Sequence, residues 1–172
     1  MNKYLIITVI ALTILMTTPL AQAENNPYNK PMLSLTMGEV GVFDEPPKNA
    51  TGFGIEYRLN PVTKWKIIPA YGYSWSANGS KYIYADLKRN WHFKNKWVLT
   101  GSLATGWFDN NQNIDLGNAI EFRSGIELSY QLQNDYRIGV SAYHLSNSRL
   151  SNKNPGTESI YFSLLIPLKN TH

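Results

Sequence analysis

Apolar and polar residues alternate along most of the chain after Ala23, and turn residues interrupt the alternation at fairly even spacing. In one segment, Ile120 and Phe122 fall on one face while Glu121 falls on the other. A period of two residues is typical of β-strands with two unlike faces. No stretch after Ala23 shows a convincing helical period. The pattern therefore predicts eight strands: Met32–Phe43, Thr51–Leu59, Trp65–Trp75, Ser80–Phe93, Lys96–Phe108, Asn118–Tyr130, Tyr136–Ser146 and Glu158–Leu168.

Two of these strands have irregular patterns. In the first, Leu35 and Met37 alternate, but the apolar positions then slip to Val40, which predicts a β-bulge near Gly38. In the third, Pro69 removes a donor from the hydrogen-bond ladder. The pattern is otherwise compatible with strands at both places.

The connections between the strands alternate in length. Mostly longer connections, at 44–50, 109–117 and 147–157 with a short loop at 76–79, contrast with tight turns at 60–64, 94–95 and 131–135, which is typical of an outer-membrane barrel. One face of the strands is apolar and the other is charged. The tryptophans Trp65, Trp75, Trp97 and Trp107 lie near strand ends on apolar faces, as in an interfacial girdle. These features favour an all-β fold, an eight-stranded antiparallel transmembrane β-barrel, over a soluble β-sandwich.

The charged face of such a barrel turns inward. Side chains fill the interior of small barrels, so we expect no pore. We also expect ion pairs in the lumen among Glu56, Arg58, Glu121, Arg123 and Glu127. If the short turns face the periplasm, the loop at 147–157 lies at the cell surface.

The N-terminus has the pattern of a secretory signal. Lys3 precedes an apolar run from Tyr4 to Met16, and small residues follow at Ala21 and Ala23. The run is shorter than the roughly 20 residues of a membrane-spanning helix, so we predict a signal peptide at residues 1–23 and a barrel at residues 24–172. The expected location is the outer membrane.

Composition removes several classes of function. The chain of 172 residues contains no cysteine, which excludes disulfides, cysteine-ligated metals and a cysteine nucleophile. Three histidines make a polyhistidine metal site improbable, and we expect neither a metal nor a cofactor. The net charge of +4 comes without a basic run, so nucleic acid is not an expected partner.

One segment could carry chemistry. His144 and Ser146 are two residues apart on a predicted strand, so their side chains share a face. Glu158 opens the next strand. Pairing Ser146 with Glu158 would put His144 opposite Ile160 and cluster a base, a hydroxyl nucleophile and a carboxylate. By parity the three lie on the apolar, lipid-contacting side, where ionisable groups are costly and usually functional.

The motif H-x-S-N, with Glu158 twelve residues after Ser146 at the end of an eight-stranded barrel, resembles the lipid A 3-O-deacylase family (PagL-type). The resemblance implies an esterase that hydrolyses the 3-O-linked acyl chain of lipid A in the outer leaflet, without a metal. Carried over, Ser146 is the nucleophile, His144 its general base and Glu158 the group that orients the imidazole. Asn147 and Asn154 become candidates for the oxyanion hole.

The resemblance also makes lipid A, as part of lipopolysaccharide, the expected substrate and the lipids of the outer membrane the expected surroundings. Arg149 and Lys153 are placed to meet lipid A phosphates. The main alternative is a structural or adhesive barrel without enzymatic activity. A palmitoyltransferase-like barrel with its site in the lumen and a calcium-dependent phospholipase barrel are further alternatives. A homodimer is left open.

Overall fold

The protein forms a closed barrel of eight antiparallel strands, which confirms the predicted fold class. The computed structural model describes residues 30–44, 49–109 and 114–169. Each strand pairs with the next, and the first pairs with the last. The predicted signal peptide at 1–23 lies outside the described residues. The strands are β1 (Met32–Val40), β2 (Ala50–Arg58), β3 (Ile67–Ser76), β4 (Lys81–His92), β5 (Trp97–Asp109), β6 (Ile120–Gln131), β7 (Arg137–Ser146) and β8 (Thr157–Pro167).

The predicted bulge near Gly38 is wrong. β1 pairs without interruption with β2 from Met32 to Val40, and likewise with β8. The alternation does not slip, because Glu39 continues the outward row of Met37 at the end of the strand and Val40 turns inward. No helix within the described residues is long and apolar enough to cross a membrane.

Tight turns join the strands at one end of the barrel. Between β4 and β5, Asn95 and Lys96 have φ values of 65° and 68°. Between β6 and β7, Asn134 and Asp135 have φ values of 60° and 65°. Asparagine tolerates this left-handed conformation better than most residues, which fits its place at the first position of both turns.

Buried ion pairs fill the middle of the barrel, as predicted for most of the charged positions. Both terminal nitrogens of Arg58 donate to the carboxylate of Glu127, at 3.0 and 2.8 Å, and Arg58 Nε donates to Glu56 at 2.8 Å. Arg123 donates to Asp86 at 2.8 Å. The bonds between Arg58 and Glu127 join β2 to β6 on the opposite side of the lumen, and the bond from Arg123 to Asp86 joins β6 to β4.

Glu121 departs from this prediction. It is fully buried, and neither carboxylate oxygen has a hydrogen-bond partner among the described residues. The neighbouring interior is apolar because side chains from strands and loops close this end of the barrel. This apolar cap consists of Tyr82, Tyr84, Ala104, Phe108, Ile114, Leu116 and Leu145.

Candidate active site

The residues predicted to carry chemistry meet on the outer wall, at the end of the barrel where the longer loops lie. His144 and Ser146 project outward from the end of β7, and Glu158 projects from the start of β8. His144 Nδ1 lies 2.9 Å from Glu158 Oε1, and the two side chains are 47% and 38% exposed. A carboxylate at this distance holds the Nδ1 proton of a neutral imidazole and leaves Nε2 to accept one.

The register differs from the predicted one. The structure pairs His144 with Glu158 and Ala142 with Ile160, so the expected pairing of Ser146 with Glu158 is wrong. The change is favourable for chemistry, because the carboxylate now faces the imidazole directly. Ser146 follows His144 on the same face of β7, so the carboxylate, the imidazole and the hydroxyl share one patch of the outer wall.

Gly156 provides the space in which the imidazole lies. A Cβ at this residue would stand 2.9 Å from His144 Cε1 and 3.6 Å from His144 Nε2, and the φ of Gly156 is 69°. Both the contact and the backbone conformation exclude most side chains. The ring edge that joins the two nitrogens therefore rests against backbone. The sequence shows a glycine in a loop here, but nothing in the alternation indicated its contact with His144.

Asn147 anchors the loop that follows Ser146. Its side chain is fully buried, and its Nδ2 donates to the carbonyl oxygens of Leu116 at 2.8 Å and Lys153 at 2.7 Å. Its backbone N–H donates to Asn154 Oδ1 at 3.0 Å. The donors of Asn147 are therefore directed into the loop. These bonds give Asn147 a structural task in the loop, and its role in an oxyanion hole stays a prediction.

Asn154 is placed differently. It is half-buried, and its Oδ1 accepts the bond from Asn147, which turns its Nδ2 donor away from that bond. The Oδ1 of Asn154 is therefore engaged within the loop, and its role in an oxyanion hole stays a prediction.

The turn after Ser146 contains two consecutive left-handed residues. Ser148 and Arg149 have φ values of 51° and 64°, and the N–H of Leu150 donates to the carbonyl of Asn147 at 3.0 Å. The β4–β5 and β6–β7 turns contain the same pair of consecutive left-handed residues, so this conformation belongs to the tight turns of the barrel and does not by itself mark the site. The bonds of the buried Asn147 side chain hold this turn in place.

The two cations of the loop have different surroundings. Lys153 Nζ forms an exposed ion pair with Asp115 Oδ2 at 2.6 Å. Arg149 is exposed at the tip of the loop. Nothing in the residue pattern indicated that Asp115, in the β5–β6 loop, would be a partner of Lys153.

Residues 51–167 match a family model described as lipid A 3-O-deacylase (PagL). The crystal structure of the outer membrane enzyme PagL superimposes with a TM-score of 0.61 at 18% identity, covering 80% of this chain and 99% of that one. A de novo designed transmembrane β-barrel gives a TM-score of 0.58 at 11% identity, covering 85% and 100%. These two likenesses show the fold. No curated protein matches the sequence.

Proposed function

The chain belongs to the lipid A 3-O-deacylase (PagL) family, and on that premise we propose that it is an outer-membrane esterase whose catalytic residues are Ser146, His144 and Glu158. The observation that carries the proposal is the 2.9 Å contact of His144 Nδ1 with Glu158 Oε1, on the outer wall beside Ser146. A base oriented by a carboxylate beside a hydroxyl is the arrangement that activates a serine nucleophile.

The reaction has two halves. Ser146 Oγ attacks the carbonyl carbon of the 3-O-linked ester while its proton passes to His144 Nε2. The bond between that carbon and the sugar oxygen then breaks, and the sugar oxygen takes the proton from His144. In the second half, water gives a proton to His144 and its oxygen to the acyl carbon. The fatty acid leaves, and Ser146 regains its proton.

Glu158 supports both halves. Each time His144 is protonated, the neighbouring carboxylate stabilises the imidazolium and keeps its Nε2 directed at Ser146. The negative charge that develops on the ester oxygen needs donors of its own. We assign the Nδ2 of Asn154 to this task, because its Oδ1 is already occupied by Asn147.

The location of the site suits an ester held in a membrane. The outer wall of the barrel presents Trp75 and Trp107 at the end that carries the site and Trp97 at the other, each about half exposed. Tryptophan collects at the two interfaces of a bilayer, so the site lies at the depth of the headgroups. Short turns at the opposite end favour a periplasmic position for that end. The site then faces the outer leaflet, and residues 1–23 serve as the export signal.

The loop cations complete the proposed contacts with substrate. Arg149 at the loop tip meets a lipid A phosphate, whereas Lys153 has to exchange its bond with Asp115 to do so. Replacing Arg149 by glutamate should therefore lower the rate of lipid A turnover more than replacing Lys153. If both variants turn over lipid A at the wild-type rate, phosphate binding by these two residues is no part of the function.

Mass spectrometry of lipid A from cells that make the protein tests the function. Wild-type protein should remove one 3-hydroxyacyl chain, and Ser146→Ala should not. Ser148→Ala is the matched control, because it removes an exposed hydroxyl two residues away and should retain activity. If wild-type protein is folded and surface-located but lipid A is unchanged, the proposal is wrong and a structural barrel remains. A chelator added to the assay tests whether a metal is needed.

A further inference from the structure

A groove of about 670 Å³ runs along the outer wall on the side of β8 away from β7. Met37, Ile160 and Phe162 form its apolar part, and Glu39, Asn49 and Thr51 lie at its polar edge. Gly38 also lines it. A Cβ at Gly38 would collide with the carbonyl oxygen of Ile160, so β1 and β8 approach closely there.

The polarity of the groove follows the depth of the membrane. At the edge nearest the loops, Asn49 Nδ2 donates to Glu39 Oε1 at 2.6 Å. Deeper along the strands, Met37 pairs with Phe162, and the two are 57% and 70% exposed. The next outward residues away from the loops are Leu35 and Leu164. A polar head above an apolar floor fits a glycolipid whose sugar lies at the interface and whose acyl chain descends into the hydrocarbon.

The groove begins one outward residue after Glu158 on β8 and is displaced from Ser146. Ile160 follows Glu158 on the same outward row of β8, and it pairs with Glu39 on β1. Two strand spacings of about 4.8 Å and about four residues of roughly 3.3 Å rise separate the groove from Ser146. That is about 16 Å in a straight line. The carbonyl of the cleaved chain must lie about 3 Å from the nucleophile, so that end of the cleaved chain is outside the groove.

Lipid A carries several acyl chains on one sugar backbone, so a second chain of the same molecule is available. We propose that this groove binds an acyl chain of lipid A that the enzyme does not cleave. The inference rests on the proposed function. Lipid chains already surround the barrel, so removal from water contributes little here. The benefit is orientation, because holding one chain fixes the 3-ester over Ser146.

Kinetics of groove variants test the inference. Thr51→Phe adds a ring at the polar edge of the groove. Ala85→Phe adds the same ring on β4, on the opposite wall, and is the matched control. Purified proteins in detergent micelles are assayed with lipid A and with a single-chain p-nitrophenyl ester. We expect Thr51→Phe to lower kcat/KM for lipid A about tenfold, to change single-chain hydrolysis less than about twofold, and Ala85→Phe to change neither.

Three results would overturn the inference: unchanged lipid A turnover by Thr51→Phe, equal losses on both substrates, or the same loss in Ala85→Phe. A wild-type protein that leaves lipid A intact would instead refute the proposed function, so the two failures are distinguishable.

A binding measurement covers the case in which Thr51→Phe does not fold or the single-chain ester is not hydrolysed. The chain has no cysteine, so Met37→Cys in the Ser146→Ala background accepts one nitroxide label in the groove. Ala85→Cys gives the control position. Lipid A added to the micelles should broaden the spectrum of the label at position 37 and leave that at position 85 unchanged. Broadening at both positions or at neither would contradict the inference.

Discussion

Substitution of Gly156 by alanine tests how the imidazole of His144 is positioned, because it moves the ring and leaves His144, Ser146 and Glu158 in the chain. The added Cβ would lie 2.9 Å from His144 Cε1, whereas ordinary carbon contacts are at about 3.5–4.0 Å. The ring must therefore move by roughly 0.6–1 Å, which takes Nδ1 out of its 2.9 Å contact with Glu158. A displacement of about 1 Å in a catalytic geometry costs on the order of 10²-fold in rate. We expect kcat to fall by about that factor while KM stays within about twofold.

The same substitution also strains the backbone, and a control must separate the two effects. Alanine in the left-handed conformation costs roughly 1–2 kcal/mol. Gly79, in the β3–β4 turn, has a φ of 91° and lies away from the site. Gly79→Ala should therefore lose similar stability in urea unfolding but keep its activity on lipid A. If Gly156→Ala keeps its kcat, or if Gly79→Ala loses kcat equally, Gly156 does not position His144.

Three further predictions test the site, the lumen and the turns. Glu158→Gln should lower kcat on the order of 10²-fold or more, because a neutral amide no longer stabilises the imidazolium; activity near wild type would contradict the proposed role. Glu127→Ala leaves the buried Arg58 without its main partner and should reduce the free energy of unfolding by roughly 3–5 kcal/mol, measured by urea titration of the folded barrel. The hydrogen bond from Lys30 lowers the pKa of Asp135, so this pair stabilises the protein above the ordinary aspartate pKa, and its contribution disappears as the pH falls through the lower, folded-state value. Because both groups are partly exposed, Lys30→Ala should remove less than about 1 kcal/mol at neutral pH and nothing in strong acid.

Alternation predicted the eight strands and their faces because a side-chain period of two is visible in the sequence. It could not fix the pairing of β7 with β8. A shift by two residues keeps every side chain on the same face, so pairing Glu158 with Ser146 or with His144 satisfies the pattern equally. The choice depends on the loop between the strands, where the buried Asn147 and the left-handed Ser148 set the path of the chain. Neither the burial of Asn147 nor the left-handed conformation of Ser148 is visible in the alternation of apolar and polar residues.

Charge patterning had a similar limit. It correctly placed Glu56 and Glu127 in the lumen as partners of Arg58. It also predicted an ion pair for Glu121, although that residue lies near the apolar cap rather than among the cations. The cap includes Ile114 and Leu116 from a connecting loop. Since loop residues have no strand period, their return into the barrel could not be inferred from the sequence.

The outer site owes its geometry to the inner face of the same strand. His144 and Ser146 are exposed, and exposed side chains alone hold a catalytic arrangement poorly. The residues that alternate with them point inward and are fixed. The guanidinium carbon of Arg123 lies 4.3 Å from the centroid of the Tyr143 ring. Leu145 is part of the apolar cap. Asn147 then ties the following loop to the neighbouring one through Leu116. Because a strand transmits the position of each residue to the next, a lumen packed with buried ion pairs can hold the proposed active site on the outer wall.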